Sequence, residues 1–115
     1  MKIRIKEQSI RFRLTQSDVK NLDALGALEE HTDFLIGRFT YAIAQTEIET
    51  LSATFENGRI TLQIPREMIN ELVSTDQVGF SGNTGTLKLL IEKDFTCLDS
   101  TIEDQSDNYP NPLLA

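Results

Sequence analysis

The chain has 115 residues, an ordinary apolar content of 39%, no tryptophan and a formal net charge of −7. Its length suits one domain with a single core that needs no metal or disulfide staple, and its single cysteine, Cys97, excludes an intrachain disulfide. No apolar run approaches the ~20 residues of a membrane span, so no membrane association is expected, and the acidic balance argues against general nucleic-acid binding.

The first stretch is the exception to that balance. Lys2–Lys6 and Ser9–Leu14 alternate apolar and polar residues, the pattern of half-buried strands. Ile3, Ile5, Ile10, Phe12 and Leu14 share one face. Lys2, Arg4, Lys6, Arg11 and Arg13 share the other, so that five of the chain's 11 basic residues lie here with Glu7 as the one acid of residues 1–13. If Ile5 pairs with Ile10, Arg4 lies opposite Arg11 and Lys2 opposite Arg13. Like charges set directly across a strand pair destabilise it. Thr15 and Asp18 then read as a capping box, Val19, Leu22 and Leu25 as a helical stripe, and Gly26 as the stop.

Ala27–Phe34 is an acid-rich strand candidate, and Arg38–Gln45 is a stronger one, with Phe39, Tyr41 and Ile43 alternating. Thr46–Thr50 is a polar, acidic link. Asn57-Gly58 is the signature of a type I′ hairpin turn, which needs positive φ at both central residues. That turn puts Leu51, Ala53, Phe55, Ile60, Leu62 and Ile64 on one face. Pro65 suits a first helical position, and Met68, Ile69, Leu72 and Val73 carry the helical period. Gln77–Ser81 reads as a short strand, Gly82–Gly85 as a turn and Thr86–Lys93 as an apolar strand. From Asp99 onward Asp99, Glu103, Asp104 and Asp107 occur without a basic residue, followed by Pro110 and Pro112. This predicts a globular domain over 1–98 and an extended acidic tail over 99–115.

Laid over itself with an offset of fifty, the chain matches Ile5 with Phe55, Ile10 with Ile60, Phe12 with Leu62, Val19 with Ile69, Leu22 with Leu72, Phe39 with Leu89 and Tyr41 with Ile91. The two stretches 2–45 and 52–95 therefore read as a repeat. The expected fold is α+β and mainly β, with about eight strands and two helices, a duplicated hairpin–helix–strand unit forming a compact barrel or sandwich.

The stretches KIRIKEQSIRFRLTQSDV, EKDFTCLD and SDNYPNPL resemble a family of small bacterial proteins of about this size that has no assigned function. The resemblance covers most of the chain and implies a bacterial, cytosolic protein; the lone cysteine and the lack of an opening secretory signal give the same cytoplasmic expectation. A local stretch, GRITLQIPREMINELVSTDQVGF, resembles the strand–Pro–helix–Asp–x–Val element of the AbrB-type swapped-hairpin transcription factors, through Arg59, Ile60, Pro65, Arg66, Glu67, Ile69, Leu72, Asp76 and Val78. That resemblance implies a ββαβ unit of the kind found in cradle-loop barrels. The glycine usual before the final strand is missing here.

No pattern assigns a catalytic residue, a metal or a cofactor. His31, the one histidine, sits in the acidic segment EEHTD, where a solvated strand or loop outweighs a metal site made with Glu29, Glu30 and Asp33. Cys97 lies among acidic residues that disfavour a reactive thiolate, so a small buried apolar role is expected. Gly79, Gly82 and Gly85 precede a strand, whereas a phosphate cradle opens a helix. The pairs Glu29/Glu30, Glu47/Glu49 and Glu92/Asp94 serve acid–base chemistry only if they converge in a cleft.

The basic hairpin is the place where a local rule is broken, which often marks a site. Carboxylates of the same chain, Glu92 and Asp94 foremost, an acidic partner surface, or a phosphate-type anion would each compensate it. The reading that follows is a small non-enzymatic binding or regulatory module, acting through Lys2, Arg4, Lys6, Arg11 and Arg13 or through a sheet edge, toward a protein partner or a second copy. The alternative is an enzyme or binding protein for an anionic small molecule, using Arg4, Arg11 and Arg13. A DNA-binding regulator of the AbrB kind ranks third because the chain is acidic.

Overall fold

Alternating strands, two turns with positive φ and two helical stripes set the local structure, and the computed structural model shows how they assemble. It describes residues 1–95 and 106–110. The elements run β1 (Lys2–Lys6), β2 (Ser9–Leu14), α1 (Gln16–Leu25), β3 (Ala27–Asp33), β4 (Arg38–Thr46), β5 (Ser52–Glu56), β6 (Arg59–Pro65), α2 (Arg66–Ser74), β7 (Gly79–Thr84) and β8 (Leu87–Lys93). Among the described residues, eight strands and two helices make an α+β, mainly β fold.

The turns are built as their residues dictate. Asn57 and Gly58 have φ of 51° and 72°, and Glu7 opens the other turn at φ 49°. Helix α1 begins at the capping box: Thr15 Oγ1 accepts from Asp18 N at 3.2 Å, and Asp18 Oδ2 accepts from Thr15 N at 2.9 Å. It ends at Gly26, left-handed at φ 75°, whose N–H reaches Leu22 O at 2.8 Å. Helix α2 starts at Arg66. Pro65 closes β6 and stands at the N-cap, one position ahead of the expected first helical turn, with no side-chain cap.

The chain alternates between two sheets. One has the order β1-β2-β8-β7, the other β3-β4-β6-β5. In each, two antiparallel hairpins meet along one parallel pair, β2 with β8 and β4 with β6. Phe12, Leu14, Leu89 and Ile91 from the first sheet and Ile43, Leu62 and Ile64 from the second are wholly buried. Val19 and Leu22 of α1 and Ile69 and Leu72 of α2 complete the core. Strands β5 and β6, helix α2 and strand β7 follow one another in ββαβ order over residues 52–84.

Several expectations need correction. No closed barrel forms among the described residues. At the β5–β7 seam the contact is a backbone-to-side-chain bond, Ala53 N to Thr84 Oγ1 at 3.2 Å, with Leu51 packed against Gly82, and no ladder joins the two edges. The Gly82–Gly85 stretch is not a turn. Strand β7 runs through Gly82 and Asn83, and the chain turns at Gly85-Thr86, because Ser81↔Leu90 to Thr84↔Leu87 stay in register. Leu25, Ile5, Phe55 and Val73, all placed on core-facing stripes, are exposed, and each sits at or next to the end of its element.

The fifty-residue offset holds through the first hairpins and fails by two residues in the second. Phe12 faces Ile91, but Leu62, its counterpart, faces Ile43 rather than Tyr41. The β3–β4 connection spans residues 34–37, whereas Gly85-Thr86 alone joins β7 to β8. Residues 106–110, placed by composition in an extended tail, lie on the globule. Gln16 N donates to Asp107 O at 3.1 Å, Tyr109 N donates to Asp94 O at 2.8 Å, and Phe95 and Tyr109 form a bridge. The readings of Cys97, Asp99, Glu103, Asp104 and Pro112 lie outside the described residues.

The β7–β8 approach gives a test of this packing. A Cβ at Gly79 would fall 2.7 Å from Glu92 Cβ and 2.8 Å from Glu92 Cα, while one at Gly85 would meet open space. Gly79→Ala is expected to destabilise the fold by about 1–3 kcal/mol through overpacking. Gly85→Ala, strained by its φ of +59°, should cost about 1 kcal/mol. Urea unfolding reads both, and an unchanged midpoint for Gly79→Ala would contradict the close approach.

Candidate functional site

Strand register decides which charges meet. In the first sheet Lys6, Ser9, Lys88 and Asn83 form one row across four strands. Arg4, Arg11, Leu90 and Ser81 form the next, and Lys2, Arg13, Glu92 and Gly79 the third. These side chains point away from the core, since Ile10, Phe12, Leu89 and Ile91 occupy the inner face. The outer face therefore carries six cations and, among these rows, one carboxylate. The predicted opposition of Arg4 with Arg11 and of Lys2 with Arg13 is present.

Compensation by the chain's own acids is partial. Glu92 Oε1 lies 3.3 Å from Arg11 Nε and 3.4 Å from Arg13 Nε, so one carboxylate serves two arginines and neither receives a two-bonded fork. Lys2 Nζ is 3.1 Å from the buried Asp94 Oδ2, which makes no hydrogen bond of good geometry. Arg4, Lys6 and Lys88 make no ion pair among the described residues. Elsewhere the arginines are matched: Arg38 with Asp33, Arg59 with Glu29 and Arg66 with Asp23. A hollow of about 210 Å³ on the basic face is lined by Arg4, Lys6, Ser9 and Arg11.

Sequence reasoning missed Lys88. Alternation within β8 points it outward, but its place beside Ser9 depends on a parallel pairing between strands far apart in the chain. Of the five residues singled out beforehand, Arg4, Lys6 and Arg11 come together around the hollow. Arg13 and Lys2 are engaged by Glu92 and Asp94 at the other end of the face.

The remaining candidates do not converge. His31 lies on the exposed strand β3 with Nε2 3.6 Å from Asp33 Oδ2, and Arg38 holds Asp33. Glu29 is taken by Arg59, and Glu30 bonds the amino group of Met1 at 2.9 Å. No group of three or more His, Cys, Asp or Glu able to hold a metal occurs among the described residues. Gly79 and Gly82 lie within strand β7 and Gly85 in its turn, away from any helix start.

At the helix end, Lys93 is buried beneath the C-terminal segment. Its Nζ donates to Thr75 O at 3.0 Å and stands 5.0 Å from the centroid of the Tyr109 ring. Burial pushes the Lys93 ammonium below its ordinary 10.5, with the charge of Asp76 working against the shift. Asp33 is held below the usual carboxylate range by its hydrogen bond to Arg38.

The chain belongs to a family of unknown function, DUF7009, whose model matches residues 1–113. No curated protein and no solved structure matches it. No helix among the described residues is long and apolar enough to cross a membrane.

Lys93 gives a pH test. Its folded pKa lies below 10.5, so between the two values the unfolded chain binds more protons and stability rises with pH. The stability of the native protein minus that of Lys93→Met should therefore increase as pH climbs toward 10.5, measured by urea unfolding at stepped pH. A flat difference would mean that the ammonium is not desolvated.

Proposed function

We propose that the protein is a non-enzymatic binding module that takes an acidic protein segment on the outer face of the β1-β2-β8-β7 sheet. The observation that carries this reading is that Arg4, Lys6 and Lys88 make no ion pair among the described residues, in a chain whose Arg38, Arg59 and Arg66 each have a carboxylate of their own and whose net charge is −7. Retaining like charges across a strand pair costs stability, and an acidic partner returns it in the complex. Cations on β1 also guard an exposed sheet edge against mispairing.

The face suits a protein rather than a nucleic acid. Its rows carry Leu90 as the one large apolar residue and no aromatic ring, so it has nothing on which unstacked bases could stack. The acidic remainder of the chain would be brought near the phosphates of a duplex. The hollow beside Arg4 and Arg11 favours a second reading, a small phosphate-type anion held by Arg4, Lys6, Ser9 and Arg11. The lone cysteine agrees with a cytoplasmic setting. We also read the two hairpin–helix–hairpin halves as copies of one unit, on their shared order of elements and the equivalent parallel pairing of β2 with β8 and β6 with β4.

A fluorescent peptide of alternating Glu and Ser serves as the probe, with inorganic phosphate and mixed-sequence duplex DNA in parallel. Peptide binding should be measurable by anisotropy at low salt and fall with added salt. Arg4→Glu with Lys6→Glu should weaken it about 10-fold or more, and Glu92→Gln, which frees Arg11 and Arg13, should tighten it. No peptide binding at low salt, or binding indifferent to the charge reversal, would sink the proposal. Saturable phosphate binding lost with Arg4→Ala would favour the second reading.

A further inference from the structure

All four hairpin turns lie at the end of the molecule away from the helices. Strands β2 and β6 each leave a turn and run into a helix, and the parallel pairs place the β7–β8 and β3–β4 turns beside the other two. Lys88 N bonds Gln8 O at 2.8 Å, and Thr40 N bonds Gly58 O at 2.9 Å. Between these turns the two sheets part into a groove of about 370 Å³. Its walls are apolar and come in matched positions from the two halves: Ile5 with Phe55, Ile10 with Ile60, and Leu87 with Phe39. Ile5 and Phe55 on its lip are 54% and 68% exposed.

Beside the groove stands a knob. The β3–β4 turn carries Phe34, Leu35 and Ile36 in sequence, at 62%, 102% and 92% exposure. Contacts within the turn brace it. Phe34 N donates to Gly37 O at 3.0 Å, Gly37 takes φ +96°, and Arg38 grips Asp33 through both Nε and Nη2 across its base. Three consecutive apolar residues on a braced turn are costly in water, and patches of this kind mark interaction sites. Bracing also lowers the entropy lost on docking.

We propose that this end is the interface of a twofold dimer, in which the Phe34–Ile36 knob of each copy seats against the apolar groove of the other. Knob and groove lie side by side at one end of one chain, which is the self-complementarity an isologous contact requires. Phe34, Leu35, Ile36, Ile5 and Phe55 are each more than half exposed, and covering them supplies a large part of the roughly 800 Å² per partner of a standard interface. The rim carries both signs, Glu7 and Glu56 against Lys6 and Lys88, so that a twofold copy can set acids against bases. A bilayer would use the knob and leave the groove empty, and the acidic chain is repelled by anionic lipid. This surface shares only Lys6 and Lys88, at its rim, with the basic sheet face, and the apolar contact of knob and groove does not depend on that face.

Sedimentation velocity on the full chain over a micromolar concentration series tests the proposal. The native protein should be a dimer. Leu35→Glu with Ile36→Glu, and separately Phe55→Glu, should weaken the dimer about 100-fold or more, while circular dichroism and thermal midpoint stay near native because these side chains are exposed. A native protein that stays monomeric throughout would overturn the proposal, as would a dimer that survives both changes. Monomeric protein that floats with phosphatidylcholine–phosphatidylglycerol vesicles, and loses that with the Leu35/Ile36 change, would assign the knob to a lipid surface instead.

Discussion

The structure rests on two parallel strand pairs. Phe12 opposite Ile91 and Leu62 opposite Ile43 are the points where hairpins from distant parts of the chain are joined, and all four side chains are wholly buried. An isolated hairpin is marginal in water, and three or more strands with a buried face are needed for stability. Neither half of this chain can build that alone, because its two hairpins enter different sheets. Each half completes the other's sheets, and the helices α1 and α2 then close one end of the shared core. A substitution at either parallel seam would be felt in both halves.

The same seams set the charge distribution. Strand β8 brings Glu92 under Arg11 and Arg13 and brings Lys88 beside Ser9. The pairing thus relieves repulsion at one end of the basic face and adds to it at the other. On the second sheet each arginine has a carboxylate of its own, Arg59 with Glu29 and Arg38 with Asp33. Exposed pairs of this sort contribute little stability individually. Their weight lies in the contrast with the first sheet, where Arg4, Lys6 and Lys88 make no ion pair among the described residues.

The two ends of the molecule differ for a reason built into the connections. Helices follow β2 and β6 directly and cover the core where those strands end, with Tyr109 and the C-terminal segment laid over Lys93. Only turns of a few residues lie at the opposite end, too short to cover anything. Apolar residues near those turns, such as Ile5 and Phe55, obey the strand alternation and still remain in water.

What the sequence determined by itself was whatever depends on residues close together in the chain. The type I′ turn at Asn57-Gly58, the capping box at Thr15 and Asp18, the stop at Gly26 and the opposition of Arg4 with Arg11 follow from local sterics and strand period, and the structure carries all of them. The tertiary structure decided the rest. Which hairpins share a sheet, the two-residue change of offset, the shared use of Glu92 and the placing of Lys88 all depend on the pairing of β8 with β2 and of β4 with β6. The docking of Tyr109 on Asp94 and Lys93 joins a segment whose composition reads as extended to a surface formed by other parts of the chain. Alternation tells each side chain which face of its strand it occupies, but the neighbour across the ladder is chosen by burial summed over the whole core, and no local window of residues contains that sum.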